Sequence, residues 1–157
     1  MITTTAALAL FAAGTTTAAA ETQADEVPGP AAAELQRLLR EHPEARQTAP
    51  NQITSPQGVT VTVADEHACD PGNFCLSQHQ NYKGTYVDFW NCGDYQLTDW
   101  GMQDRVTSVR NNQTAGTYAW LGNYEDGHWI TLYKSDAPDE VPHLGKDSDK
   151  GDAVHLC

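Results

Sequence analysis

The chain has 157 residues, room for one ordinary domain and a short extension. Nine Lys and Arg against 21 Asp and Glu leave a net charge of -12. That balance argues against a nucleic-acid partner and against docking on anionic membrane, both of which rely on basic surface.

Residues 1–20 carry no charged side chain. Ala6 to Ala13 form a short apolar stretch, and Ala18-Ala19-Ala20 supplies small residues before Glu21. The pattern is that of a secretory signal peptide without its basic start, and the stretch is shorter than the ~20 residues that span a bilayer. A secreted, extracellular protein is therefore expected.

Residues 21–66 form the expected extension, a propeptide or docking arm. Its first part is linker-like, rich in Ala, Pro, Glu and Asp. Ala31 to Arg40 then reads as a short amphipathic helix, with Leu35, Leu38 and Leu39 on one stripe and Pro43 ending it. Ile53-Thr54 and Val59 to Val63 flank the turn Ser55-Pro56-Gln57-Gly58 and read as a hairpin. Val59, Val61 and Val63 share one of its faces.

From Cys69 onward the texture changes to aromatics, Gly and Asn. Short runs separated by turn residues predict strands at Asn73 to Gln78, Thr85 to Trp90, Thr107 to Arg110, Tyr118 to Leu121, His128 to Tyr133 and Ala153 to Cys157. The domain 67–157 is expected to be mostly β, a sandwich or barrel. A repeat divides it. Ser77 to Gly84 aligns with Trp120 to Gly127, each ending in Gly with a Tyr shortly before, and Asp104-Arg105-Val106 answers Asp152-Ala153-Val154. In each unit the aromatic is expected to cover a folded hairpin, with Gly in a conformation costly for other residues. Two Greek-key units packed on each other would bury the apolar face that each leaves wet.

The four cysteines, Cys69, Cys75, Cys92 and Cys157, all lie in this domain. An even count in a secreted chain predicts two disulfides, with three connectivities open. Cys69 and Cys75 flank Asp70-Pro71-Gly72-Asn73, a strong turn sequence that suits a small closed loop. That choice would leave Cys92 with Cys157. No GxSxG, HExxH or glycine-rich phosphate loop occurs, so an enzyme is not expected. The ten Trp and Tyr from Tyr82 to Tyr133 read as core and hairpin packing rather than as a glycan platform.

The runs Cys69 to Leu76, Asn81-Tyr82-Lys83-Gly84 and Gln103 to Val109 resemble the βγ-crystallin fold. More narrowly, they resemble the secreted actinobacterial peptidase-inhibitor family typified by the Streptomyces metalloproteinase inhibitor. The resemblance implies a two-unit Greek-key βγ-crystallin-like sandwich carrying a short N-terminal helix and hairpin extension, and it favours the Cys69–Cys75 pair. It implies a secreted protease as partner, a monomer, and no required cofactor. The typical inhibitor presents its reactive bond on a late, short disulfide loop. This chain has no late pair of close cysteines, so the candidate inhibitory loop is Asp70, Pro71, Gly72 and Asn73. The resemblance also implies a candidate calcium site at Gln103, Asp104, Thr107 and Ser108, with Gln103 standing where an acid or Asn is usual. In the second unit His155 and Leu156 replace both hydroxyls. The alternative to inhibition is a calcium-binding or structural module.

Overall fold

A computed structural model describes residues 29–64 and 68–157. The expected signal peptide, residues 1–20, the first part of the expected linker and His67 lie outside them. Helix α1 (Pro30–Glu41) opens the described chain, with Leu35 and Leu38 fully buried. Strands β1 (Arg46–Ala49), β2 (Gln52–Ser55) and β3 (Val59–Val63) follow as a meander. In β3 the expected valine face turns inward, and Thr62 on the other face is buried as well. Val59 and Val61 are buried, and Val63 packs against the same cluster from the margin.

The first unit comprises β4 (Phe74–His79), β5 (Lys83–Phe89), β6 (Gly93–Gln96) and β7 (Ser108–Asn111). The second comprises β8 (Tyr118–Glu125), β9 (His128–Asp136), β10 (Asp139–Val141) and β11 (Ala153–Leu156). Each unit surrenders its third strand. One sheet runs β5-β4-β7-β10, and the other runs β6-β11-β8-β9. Thus β10 completes the first unit's sheet beside β7, and β6 completes the second unit's sheet beside β11. This mutual exchange makes the domain a two-unit Greek-key sandwich, and neither unit can form its sheet without the other. β3 pairs antiparallel with β5, so β1-β2-β3 extend the first sheet to seven strands.

One core serves the whole described chain. Phe74, Leu76, Val87 and Phe89 from the first sheet meet Ala119, Leu121, Val154 and Leu156 from the second. Leu35, Leu38 and Ile53 belong to the same buried cluster. α1 contacts β2 and the short 3-10 turn Leu97–Trp100. His42, just past the helix, stacks on Trp100 with ring centroids 4.2 Å apart.

The repeat meets across the domain as the sequence pattern suggests. The Asp104 amide donates to the Gly151 carbonyl at 2.9 Å, and Val106 and Val154 are both buried. The hairpin detail differs from expectation. The ring over Gly84 is His79, not Tyr82. In the second unit the covered glycine is Gly122, beneath Trp120, and Gly127 sits free in the turn. The reason lies in the turns. Asp126 and Gly127 both have positive φ and close a two-residue hairpin, which leaves no fold for a ring to cover.

Candidate functional site

Both disulfides follow the expected pairing, Cys69–Cys75 and Cys92–Cys157. The first closes a small loop at the start of β4. Asp70, Pro71 and Gly72 are exposed, Asn73 is half-buried, and both cysteines are buried. Proline fixes one turn dihedral and Gly72 supplies φ of 95°, so the four residues form a tight turn closed by the Asn73 amide on the Asp70 carbonyl at 3.1 Å.

Asn112, just beyond β7, clamps this loop with three hydrogen bonds. Its carbonyl accepts from the Gly72 amide at 2.7 Å, and its own amide donates to the Asn73 carbonyl at 2.9 Å. Its side-chain Nδ2 donates to the Cys69 carbonyl at 2.8 Å. The result is a protruding turn held by a disulfide at its base and by backbone bonds along its flank. Sequence reasoning did not single out Asn112. Its role depends on β7 lying beside β4, a non-local pairing.

The four candidate calcium residues separate into two places. Gln103 and Asp104 lie at the corner where the units meet. There Gln103 Nε2 donates to Asp152 Oδ1 at 2.8 Å, and Asp152 Oδ2 accepts the Tyr124 amide at 2.7 Å. Partial burial and the Asp152 charge together raise the Asp104 carboxyl above its usual range. Thr107 and Ser108 point elsewhere. Thr107 Oγ1 donates to Asp149 Oδ1 at 3.1 Å. Ser108 is fully buried, donates to the His79 carbonyl at 2.7 Å and accepts the Tyr82 amide at 3.1 Å, so it ties down the β4–β5 hairpin. Calcium takes six to eight oxygens. The corner offers the Asp104 and Asp152 carboxylates, while the Ser108 hydroxyl is already committed. No group of three or more His, Cys, Asp or Glu suited to a metal ion occurs among the described residues.

The aromatics correct the packing expectation in part. Trp100, Tyr86 and Tyr133 are buried. Burial raises the Tyr133 phenol well above its ordinary range, reinforced by its hydrogen bond to Asp139. Trp90, Tyr124 and Trp129 are exposed by 44%, 55% and 47%. Strand alternation explains the last two. Tyr124 pairs with Trp129 on the outer face of the second sheet, the same face as Trp120.

Residues 62–136 match the model of peptidase inhibitor family I36. The match is to a peptidase-inhibitor family, the class that the sequence resembles. Its segment runs from β3 through the clamped loop and Asn112 to the end of β9. No curated protein matches the chain. Solved structures similar to it are βγ-crystallin domains. One, from work on the evolution of the eye-lens βγ-crystallin domain fold, is 20% identical with a TM-score of 0.48, covering 63% of this chain and 96% of that one. A βγ-crystallin domain from Clostridium beijerinckii is 19% identical with a TM-score of 0.43, covering 54% and 95%. The N-terminal domain of protein S is 17% identical with a TM-score of 0.42, covering 54% and 94%. The two-unit architecture itself rests on the strand exchange described above.

Proposed function

We propose that this chain is a secreted inhibitor of extracellular peptidases, metallopeptidases among them, and that the Cys69–Cys75 loop enters the enzyme's cleft. The family match over residues 62–136 carries the reading of a peptidase inhibitor. The loop's geometry supports its role. A cleft-binding segment must protrude and be already ordered, because ordering it on binding costs affinity. Asp70-Pro71-Gly72 protrude, and the disulfide and Asn112 hold them. The role is one of binding, not catalysis. The two disulfides suit an oxidising compartment.

The test is a titration of the oxidised protein against a thermolysin-type and a subtilisin-type peptidase. Stoichiometric loss of activity with the inhibitor chain intact supports the proposal. Full activity of both enzymes, with the domain surviving undigested, removes it. Protection of the loop from hydrogen exchange in the complex tests the contact residues separately.

A second reading, a calcium-binding module, draws on the Asp104–Asp152 corner, where two carboxylates repel each other. A divalent cation would relieve that repulsion.

A further inference from the structure

We propose that the outer face of the sheet β6-β11-β8-β9 binds a neutral, extended oligosaccharide. The face has no covering layer among the described residues, and its large rings are arranged rather than scattered. Trp120 lies flat because Gly122 leaves room beneath it, and a Cβ there would collide with the indole. Its Nε1 donates to Thr131 Oγ1 at 2.9 Å, which fixes the ring's orientation. Trp129 meets Trp120 edge-on with centroids 5.5 Å apart and Tyr124 at 5.2 Å. Three rings thus form a fixed row on one side of the sheet.

Two depressions flank Trp129. One of about 420 Å³ is lined by Tyr118, Trp120, Asp94 and His155, and the other of about 270 Å³ by Tyr124, Thr98, Gln103 and Asp152. Gln96 and Trp129 border both, so the two form one continuous strip. Large rings exposed together on a surface mark a site that something covers.

The chemistry of the strip selects the occupant. A pyranose has an apolar C–H face and a rim of hydroxyls. The electron-rich faces of Trp and Tyr receive the first. The second needs mixed donors and acceptors beside the rings. His155 and the Gln96 amide supply both kinds, and the Asp94 carboxylate accepts. Asp94 and Asp152 at the two ends, with a net charge of -12, repel an anionic glycan. Both acids also hold their neighbours in place, Asp94 binding His155 at 2.7 Å and Asp152 binding Gln103. Two adjacent depressions sharing a ring suit consecutive sugar units.

The intact oxidised protein should be titrated with cellohexaose, chitohexaose and xylohexaose, following tryptophan emission. The expected result is saturable binding of at least one, with a blue shift. Trp129→Ala should weaken it roughly ten-fold or more, while Trp90→Ala, at an exposed indole outside the strip, should leave it unchanged. No binding of any of the three at about 5 mM overturns the proposal. So does binding that Trp129→Ala leaves intact. Loss of peptidase inhibition in Trp129→Ala without any sugar binding would assign the face to the peptidase and also overturn it. The peptidase titration of the wild type reads the inhibitor function independently.

Discussion

The Trp120 indole lies across Gly122, two residues further along the same strand, closely enough that any Cβ at 122 would strike the ring. The strand conformation of Gly122 is open to any residue. What demands glycine is the ring, and what the ring gains is a fixed place on an exposed face. Gly122→Ala should therefore cost about 1–3 kcal/mol, the usual range for forcing extra volume into a filled site. Trp120→Ala made alongside it should remove most of that penalty, because the clash has gone. A double-mutant cycle by chemical denaturation measures the coupling. Additive costs would mean that the ring and the glycine are independent.

The two disulfides should differ in worth. Cys92–Cys157 spans 65 positions and ties the end of β11 to the first unit, whereas Cys69–Cys75 spans 6. In the chain-entropy model these separations correspond to about 4 and about 2 kcal/mol. Cys92→Ala with Cys157→Ala should lower stability by about twice as much as the Cys69→Ala, Cys75→Ala pair. The smaller disulfide should matter more for inhibition, because its loss frees the protruding turn. Denaturant midpoints and inhibition constants of both double variants check the two halves of this expectation.

Much of this architecture was legible in local patterns. The stripe of Leu35 and Leu38 and the alternation of Val59 and Val61 named core residues because burial follows backbone period. Asp70-Pro71-Gly72-Asn73 pointed to the small disulfide because turn chemistry is local. Strands β1, β6 and β10 were not read. They are short and largely polar, as in Gly93-Asp94-Tyr95-Gln96, and their neighbours impose their pairing. The candidate calcium residues show the same limit. Asp104 and Thr107 are three positions apart, yet the Asp104 amide bonds to Gly151 in the second unit and the Thr107 amide to Ser77 in the first. No spacing rule reveals that the segment between β6 and β7 bonds to both units in turn.

Glu34 gives the extension an acid-sensitive anchor. Its carboxylate accepts Arg37 Nη2 at 2.8 Å and Nε at 3.1 Å, and Arg105 Nη1 stands 4.0 Å away. The hydrogen bonds from Arg37 lower its pKa, against partial burial that raises it, and the Arg37 and Arg105 charges lower it further. A carboxyl with a lowered native pKa contributes stability above its unfolded value and loses it as pH falls through the native value. Wild type should therefore exceed Glu34→Gln in stability at neutral pH. The gap should close as pH drops below the ordinary glutamate pKa of about 4.3. Denaturant unfolding at several pH values measures it, and a constant gap would contradict the anchor.

Calcium supplies a separate test of the corner between the units. If the Asp104 and Asp152 carboxylates take up the ion, their repulsion is relieved and the folded state gains about 1.4 kcal/mol at ten times Kd. The melting temperature should rise with calcium and return with chelator, and Asp152→Asn should abolish the rise. A melting curve indifferent to millimolar calcium would leave the corner as a purely internal contact.

Asn112 links the framework to the proposed inhibitory loop. Only its Nδ2 bond to the Cys69 carbonyl depends on the side chain. The two backbone bonds, to Gly72 and Asn73, survive substitution. Asn112→Ala should therefore cost little global stability, about 1 kcal/mol for one hydrogen bond, while letting the turn sample more conformations before it meets an enzyme. If the turn enters the cleft, that freedom must be lost on binding, and the inhibition constant should rise about ten-fold while the melting temperature falls by only a few degrees. Asn112→Asp keeps an acceptor but loses the donor to the Cys69 carbonyl, so it should resemble the alanine variant. An inhibition constant unmoved by both changes would place the enzyme contact away from Cys69–Cys75, even with the peptidase-inhibitor reading intact.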